Sequence, residues 1–95
     1  MSKYKISERA KEDLFRIWHY GVYKFGRTQA DKYAKQLFHH FDIIVENPNA
    51  FPLIQEVKPG YRKCVCVPNS LFYRLNKEHL EIVAIVGRQD IDEIF

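Results

Sequence analysis

The amino-acid sequence predicts a single α+β domain, in which an antiparallel helical hairpin packs on one face of a three- or four-stranded, mainly antiparallel sheet. Three observations support this fold class. Two long segments repeat apolar residues at helical spacing, with a short polar gap between them. Three short β-branched and aromatic runs follow, joined by turns of two or three residues. The 95 residues, of which 46% are hydrophobic, suffice for one core but leave no linker for a second domain.

The first strand and the first helix are predicted from the N-terminal residues. Residues 4–7, which read Tyr-Lys-Ile-Ser, form a short edge-strand candidate. Ser7 is a good N-cap, because its hydroxyl can accept a hydrogen bond from the first helical turn, where Glu8 complements the helix dipole. Gly26 is expected to end this helix. Its apolar stripe comprises Ala10, Leu14, Ile17, Trp18, Gly21 and Phe25.

The second helix is expected to begin at Thr28 and to end at Asn47. Thr28 and Asp31 have the spacing of a capping box, and the residue before Pro48 avoids the α region. The short gap between the two helices requires them to form an antiparallel hairpin. The apolar stripe of the second helix comprises Ala30, Tyr33, Ala34, Leu37, Phe38, Phe41, Ile44 and Val45.

Three further strand candidates follow a proline-containing loop over residues 48–60. They span residues 61–67, 70–76 and 80–86. Because the turns between them are so short, we expect an antiparallel meander. The N-terminal strand is expected to join this sheet at an edge, which gives the element order β-α-α-β-β-β.

The last two strand candidates carry apolar residues on both faces. Phe72 falls on the opposite face from Leu71 and Tyr73, beside Arg74, and the last run reads Leu-Glu-Ile-Val-Ala-Ile-Val. A sheet that helices cover on one side only should alternate apolar and polar residues. We therefore expect an open apolar surface that binds a partner. The alternative is that the long loop or the C-terminal residues fold over this face.

Composition and charge favour a soluble protein. The net charge of +3, from 15 basic and 12 acidic residues, is too small to demand a nucleic-acid partner, and no direct sequence-specific binding to nucleic acid is expected. The N-terminus has no signal-peptide core and no apolar run could cross a bilayer, so we expect a cytoplasmic protein. Cys64 and Cys66, which share one strand face, are expected to be buried free thiols.

No motif in the sequence identifies a catalytic, cofactor or metal site. We expect neither a cofactor nor a bound metal ion. The histidines and serines lack the context of a metal centre or a hydrolase nucleophile. The remaining candidates are Arg62, Arg74 and Arg88, which could hold an RNA phosphate if strand parity places them together. The alternative, which the residues favour, is that Arg88 pairs with Asp90 or another carboxylate and anchors the end of the last strand.

Several short segments show a recognisable order and spacing over nearly the whole chain. They read "YKISERAKEDLFRIWHYGVYKFG", "QADKYAKQL", "NPNAFP", "GYRKCVCVPNSLFYRL" and "LEIVAIVGRQDI". On these segments the sequence resembles the RelE/ParE superfamily of bacterial toxin–antitoxin toxins, and its ParE branch more than its RelE branch. The resemblance implies the RelE/ParE toxin-like α+β fold, which agrees with the layout predicted above.

RelE-like members of the superfamily cut mRNA on the ribosome with basic sheet residues, and often with a C-terminal tyrosine that follows a His-Arg pair. The sequence retains Arg62, Arg74 and Arg88, but it has Gly87 in place of the histidine and Asp92 in place of the tyrosine. An aspartate cannot replace the phenol. A ribosome-dependent mRNA endoribonuclease is therefore the alternative function rather than the main one.

ParE-like members of the superfamily are non-enzymatic inhibitors of DNA gyrase, and a ParD-like antitoxin neutralises them by laying its C-terminal segment along the toxin. The resemblance therefore predicts a gyrase-inhibiting toxin in a hetero-oligomer with such an antitoxin. A third hypothesis is a non-toxic member that serves only in repression or as an antitoxin sink. The antitoxin is expected to cover the open sheet surface and the end of the last strand, at Phe72, Arg74, Val83, Ile85, Arg88 and Asp90.

Overall fold

The computed structural model describes residues 4–54, 58–76 and 79–87. Its elements, in chain order, are β1 (Tyr4–Ile6), α1 (Glu8–Phe25), α2 (Arg27–Glu46), β2 (Tyr61–Cys66), β3 (Asn69–Leu75) and β4 (Leu80–Gly87). The strands form one sheet in the order β1-β4-β3-β2. The β2–β3 and β3–β4 pairs are antiparallel, and β1 runs parallel to β4. The predicted α+β class is confirmed, and the N-terminal strand lies at an edge of the sheet as expected.

Ser7 joins the sheet to the first helix. Its side-chain oxygen accepts a hydrogen bond from the backbone N–H of Ala10 (3.0 Å), which confirms the predicted N-cap. The same hydroxyl donates to the carbonyl oxygen of Val83 (2.7 Å), and the backbone N–H of Ser7 donates to the carbonyl oxygen of Ile82 (3.0 Å). One residue therefore ends β1, begins α1 and fixes both against β4.

Gly26 reverses the chain between the two helices. It has a φ of 89°, a conformation that favours glycine, and it caps both the end of α1 and the start of α2. The predicted start at Thr28 is wrong, because a reversal at a single residue lets α2 begin at Arg27 without a side-chain cap. Asp31 instead accepts a hydrogen bond from the indole N–H of Trp18 (2.8 Å), which links the two helices.

The helical hairpin packs on one side of the sheet, which we call the inner face. The helices approach closely at Gly21, where an added Cβ would lie 3.3 Å from the Cβ of Ala30. Below them, side chains of both helices and three strands form the inner core. Its buried members are Ala10, Leu37, Phe41, Ile44, Cys64, Cys66, Leu71, Tyr73, Leu80, Ile82 and Ile85.

Asp13 of α1 is a buried carboxylate that connects the helix to the sheet. One of its oxygens accepts a hydrogen bond from the backbone N–H of Ile85 in β4 (3.0 Å). The side chains of Arg9 (3.1 Å) and Arg16 (2.9 Å) also donate to this carboxylate, and both arginines are about half exposed. The buried negative charge is therefore paired and fully hydrogen-bonded, as burial of a carboxylate requires.

Cys64 and Cys66 are buried free thiols on the inner face, as the sequence predicted. Burial raises the pKa of Cys64 from its ordinary value of 9.0 to about 11, with a smaller contribution from Cys66 beside it. Burial also raises the pKa of Cys66, although a hydrogen bond with Tyr33 opposes the shift. Both thiols therefore stay protonated, and neither is a thiolate nucleophile near neutral pH.

We expect Asp13→Ala to lower the free energy of unfolding by about 2 kcal/mol, because it leaves the buried N–H of Ile85 without an acceptor. Asp13→Asn keeps a carbonyl oxygen for that N–H and should lose less. Glu8→Ala is the control, since the Glu8 side chain is 88% exposed and its removal should cost less than about 0.5 kcal/mol. Urea denaturation measures all three, and equal losses for Asp13→Ala and Glu8→Ala would contradict this role of Asp13.

We also expect the unfolding free energy to fall as the pH rises from 9 towards 11. The folded state raises the pKa of the Cys64 thiol, so it holds this proton more tightly than the unfolded chain does. Stability from this group is complete below pH 9 and is lost as the pH passes through the folded-state pKa. Denaturation under reducing conditions, at pH 8 and at several higher pH values, should show a shallower decline for Cys64→Ala than for the unmodified chain. An identical pH dependence would contradict the prediction.

Candidate protein-binding surfaces

The strand register assigns each side chain of β3 to one face of the sheet. Leu71 and Tyr73 belong to the inner core, whereas Phe72 belongs to a second buried cluster on the opposite side, which we call the outer face. Arg74 follows Tyr73 and therefore lies on the outer face with Phe72. The alternation predicted along this strand is confirmed.

A β-bulge in β4 changes the faces of the residues that follow it. Phe72 pairs with Ala84 and Tyr73 pairs with Ile82, so Val83 is an extra residue between the two pairs. Ile85 consequently lies on the inner face and is fully buried. The prediction that Ile85 shares an open surface with Phe72 is wrong. That prediction assumed that side chains alternate regularly along β4, and the extra residue Val83 moves Ile85 to the other face.

The outer face is covered by residues from the loop that precedes β2. The N–H of Ile54 donates to the carbonyl of Tyr61 (2.9 Å), and the N–H of Lys63 donates to the carbonyl of Pro52 (3.0 Å). This pairing holds Ile54 over the sheet, where it is buried and Phe72 is only 1% exposed. The outer cluster comprises Ile54, Phe72, Ala84 and Val86, with Tyr61 packed against it. The expected open apolar surface is therefore wrong at Phe72, and the loop provides the cover.

The candidate site arginines are engaged in separate structural contacts. Arg62 pairs with Tyr73 across the sheet, so it lies on the inner-face side and donates to the carbonyl oxygen of Phe51 (2.6 Å). Arg74 lies on the outer face, where its Nε donates to Glu81 (2.9 Å) and its guanidinium lies 5.7 Å from the centre of the Tyr61 ring.

The pKa of Arg74 is raised, chiefly by the hydrogen bond with Glu81 and then by the charge interaction with Tyr61. The structure thus does not bring Arg62 and Arg74 together. Arg88 and Asp90 lie outside the described residues. Roles in antitoxin binding for these two residues, for Arg74 and for the half-buried Val83 stay predictions, whereas Phe72 and Ile85 are core residues in this structure.

The solvent-facing side of α1 carries exposed aromatic residues that were not singled out from the sequence. Phe15, Tyr20 and Tyr23 are 66%, 57% and 88% exposed, respectively. His19 stacks on Phe15, with ring centres 5.8 Å apart and an angle of 10° between the planes. Phe25, which was predicted to be part of the apolar stripe, is the last residue of α1 and is 65% exposed. Aromatic residues off the helical stripe were the signal in the sequence for this surface, which we call the aromatic face of α1.

The described residues contain no group of three or more histidine, cysteine or acidic side chains that could hold a metal ion. They also contain no helix long and apolar enough to cross a membrane.

Comparisons with known proteins agree on one family. A family model described as "ParE toxin of type II toxin-antitoxin system, parDE" matches residues 4–92. A curated relative named Toxin ParE1, from Caulobacter vibrioides, is 34% identical over 86 residues, which cover 90% of this chain and 88% of the relative. Another Toxin ParE1, from Mycobacterium tuberculosis, is 33% identical over 93 residues, which cover 96% and 95% of the two chains.

A solved structure has the same fold. A chain of the "Chromosomal ParDE TA system from P. aeruginosa" matches with a TM-score of 0.81 and 21% sequence identity, over 94% of this chain and 98% of that one. The likeness confirms the α+β fold and its strand arrangement.

We expect Phe72→Ala to lower the free energy of unfolding by about 3–5 kcal/mol, since it removes a buried aromatic ring and leaves a cavity under Ile54. Phe15→Ala removes the same ring from the exposed aromatic face of α1 and should cost less than about 0.5 kcal/mol. Chemical denaturation of the two variants provides the test. Similar small losses would mean that the outer face is open rather than covered.

Proposed function

Since the chain belongs to the ParE toxin family of type II toxin–antitoxin systems, we propose that it acts by binding rather than by catalysis. Its target is DNA gyrase, and a ParD-like antitoxin neutralises it in a hetero-oligomer. The observation that carries the non-catalytic part of this proposal is the separation of Arg62 and Arg74 on opposite sides of the sheet.

The contacts of these arginines argue against ribonuclease chemistry. Cleavage of RNA needs cations that converge on one phosphate, together with a group that moves a proton. Arg62 instead holds the backbone of the loop at Phe51, and Arg74 is paired with Glu81. Two arginines that face opposite ways and already have acceptors cannot form one phosphate site without a rearrangement of the sheet.

The exposed side chains favour a protein as the target. Interfaces between proteins are enriched in aromatic residues, and Phe15, Tyr20 and Tyr23 lie exposed along one helix. The net charge of +3 is modest for a protein that docks on ribosomal RNA. Because gyrase and a co-expressed antitoxin both occur in the bacterial cytoplasm, we place the chain there as well.

We expect the purified chain to inhibit supercoiling by bacterial DNA gyrase, or to cause accumulation of cleaved plasmid, and we expect the cognate antitoxin to reverse the effect. Tyr23→Ala should weaken the inhibition, because truncation of an aromatic side chain in an interface often costs more than about 1 kcal/mol. Lys24→Ala is the matched control on the same helix. It should leave the inhibition within about twofold of the unmodified chain.

A parallel assay in a cell-free translation mixture separates the alternative function. Cleavage of mRNA that Arg74→Ala abolishes, together with unaffected gyrase, would replace the proposal with a RelE-like endoribonuclease. Inhibition of gyrase without mRNA cleavage would support the proposal. Inactivity in both assays, with harmless expression in the absence of the antitoxin, would identify a non-toxic member of the family.

A further inference from the structure

The end of the helical hairpin, where α1 is followed by α2, combines exposed aromatic and basic side chains. We define this hairpin tip as Tyr20, Tyr23, Lys24, Phe25 and Arg27, all of which are exposed. The Tyr23 side chain is the most open of the three aromatic ones, at 88% exposed. Among the described residues, none of the three rings packs against another aromatic ring. The tip therefore presents aromatic surface to an outside partner.

The two cations of the hairpin tip lack acidic partners. Residues 14–30 contain neither an aspartate nor a glutamate. The next acidic residue, Asp31, accepts a hydrogen bond from the indole N–H of Trp18 (2.8 Å). In the part of the chain that the structure describes, Lys24 and Arg27 form no ion pair. Their positive charge is thus available to a partner, and complementarity requires that this partner be anionic.

The position of the tip in the fold favours a flat anionic surface over a strand of nucleic acid. Proteins that bind single-stranded nucleic acid align aromatic and basic residues along a groove that follows the backbone. The hairpin tip is instead a convex end, because Gly26 alone joins the two helices and the tip residues surround it. At the boundary between water and an anionic lipid layer, amphipathic aromatic rings lie among the headgroups and cations meet the lipid phosphates. The tip carries both kinds of side chain.

We propose that the hairpin tip docks reversibly on an anionic lipid surface. The rings of Tyr23 and Phe25 lie among the headgroups, and Lys24 and Arg27 contact the lipid phosphates. The contact is peripheral, since the described residues contain no helix long and apolar enough to cross the bilayer. It is also weak, because stable anchoring takes more than two cations and a few rings. The proposal does not depend on gyrase as the target.

Co-sedimentation of the purified chain with lipid vesicles tests the proposal. Mixed vesicles of phosphatidylglycerol and phosphatidylcholine should bind the chain, whereas vesicles of phosphatidylcholine alone should bind it about twentyfold less, because each cation near an anionic surface contributes about fivefold. Binding to the mixed vesicles should disappear at about 1 M salt, where the charges are screened. Glycerol phosphate in solution should not release the bound chain, because a free headgroup offers no layer for the rings.

Variants of the tip locate the contact. Lys24→Ala should lower the partition of the chain onto mixed vesicles about fivefold. Lys11→Ala is the matched control, because it removes the same charge from the same helix at about 20 Å from Lys24 along the axis. That separation exceeds the Debye length of about 10 Å at 0.1 M salt, so the control should stay within about twofold. Phe25→Ala should also weaken binding, whereas Phe25→Trp should retain it, since tryptophan is an interfacial ring as well.

Three results would overturn the proposal. Equal binding to neutral and mixed vesicles, or equal losses for Lys24→Ala and Lys11→Ala, would remove the charge of the tip from the contact. Release of the chain by glycerol phosphate would show that a free phosphate suffices without a lipid layer. Binding of a labelled thymidine oligonucleotide to the free chain, lost in both Lys24→Ala and Phe25→Ala, would make the tip a nucleic-acid site instead.

Discussion

β4 is longer than its neighbour β1, so part of its outer edge has no strand to pair with among the described residues. The position of the helices depends on which groups bond the backbone of β4 there. β1 pairs only with Leu80–Ile82, whereas β4 continues to Gly87. In the described part of the chain, side chains at the start of α1 bond the next outward groups, with Ser7 on the carbonyl of Val83 and Asp13 on the N–H of Ile85. Because buried backbone groups must be paired, these contacts fix the position of α1 on the sheet. The close contact at Gly21 then positions α2.

Features of the fold that have local causes were predictable from the sequence. The N-cap at Ser7, the reversal at Gly26 and the pairs of adjacent strands are each encoded within a few residues. The bulge at Val83 was not predictable, because it is defined by pairing with β3 and satisfied by a helix more than 70 residues away in sequence. The sequence also did not decide whether the loop covers the outer face at Ile54. A loop sequence does not reveal which strand edge the loop joins.

The candidate site shows the same division between local and tertiary information. The sequence identifies arginines as the side chains capable of phosphate chemistry, but only the register decides which face each one occupies. Once the register is known, Arg62 and Arg74 are seen to hold the loop and the outer face rather than a common ligand. Among the described residues, the aromatic face of α1 is exposed and suits contacts with proteins.

The pairing of β1 with β4 joins two strands that lie far apart in the sequence, and it has a consequence for synthesis. During translation the N-terminal residues leave the ribosome first, but their partners in β4 follow more than 70 residues later. The helical hairpin can form early, yet neither Ser7 nor Asp13 has its acceptor or donor until β4 has emerged. The native arrangement of β1, α1 and the sheet is thus completed only once β4 has been synthesised, so a chain that lacks β4 does not present it.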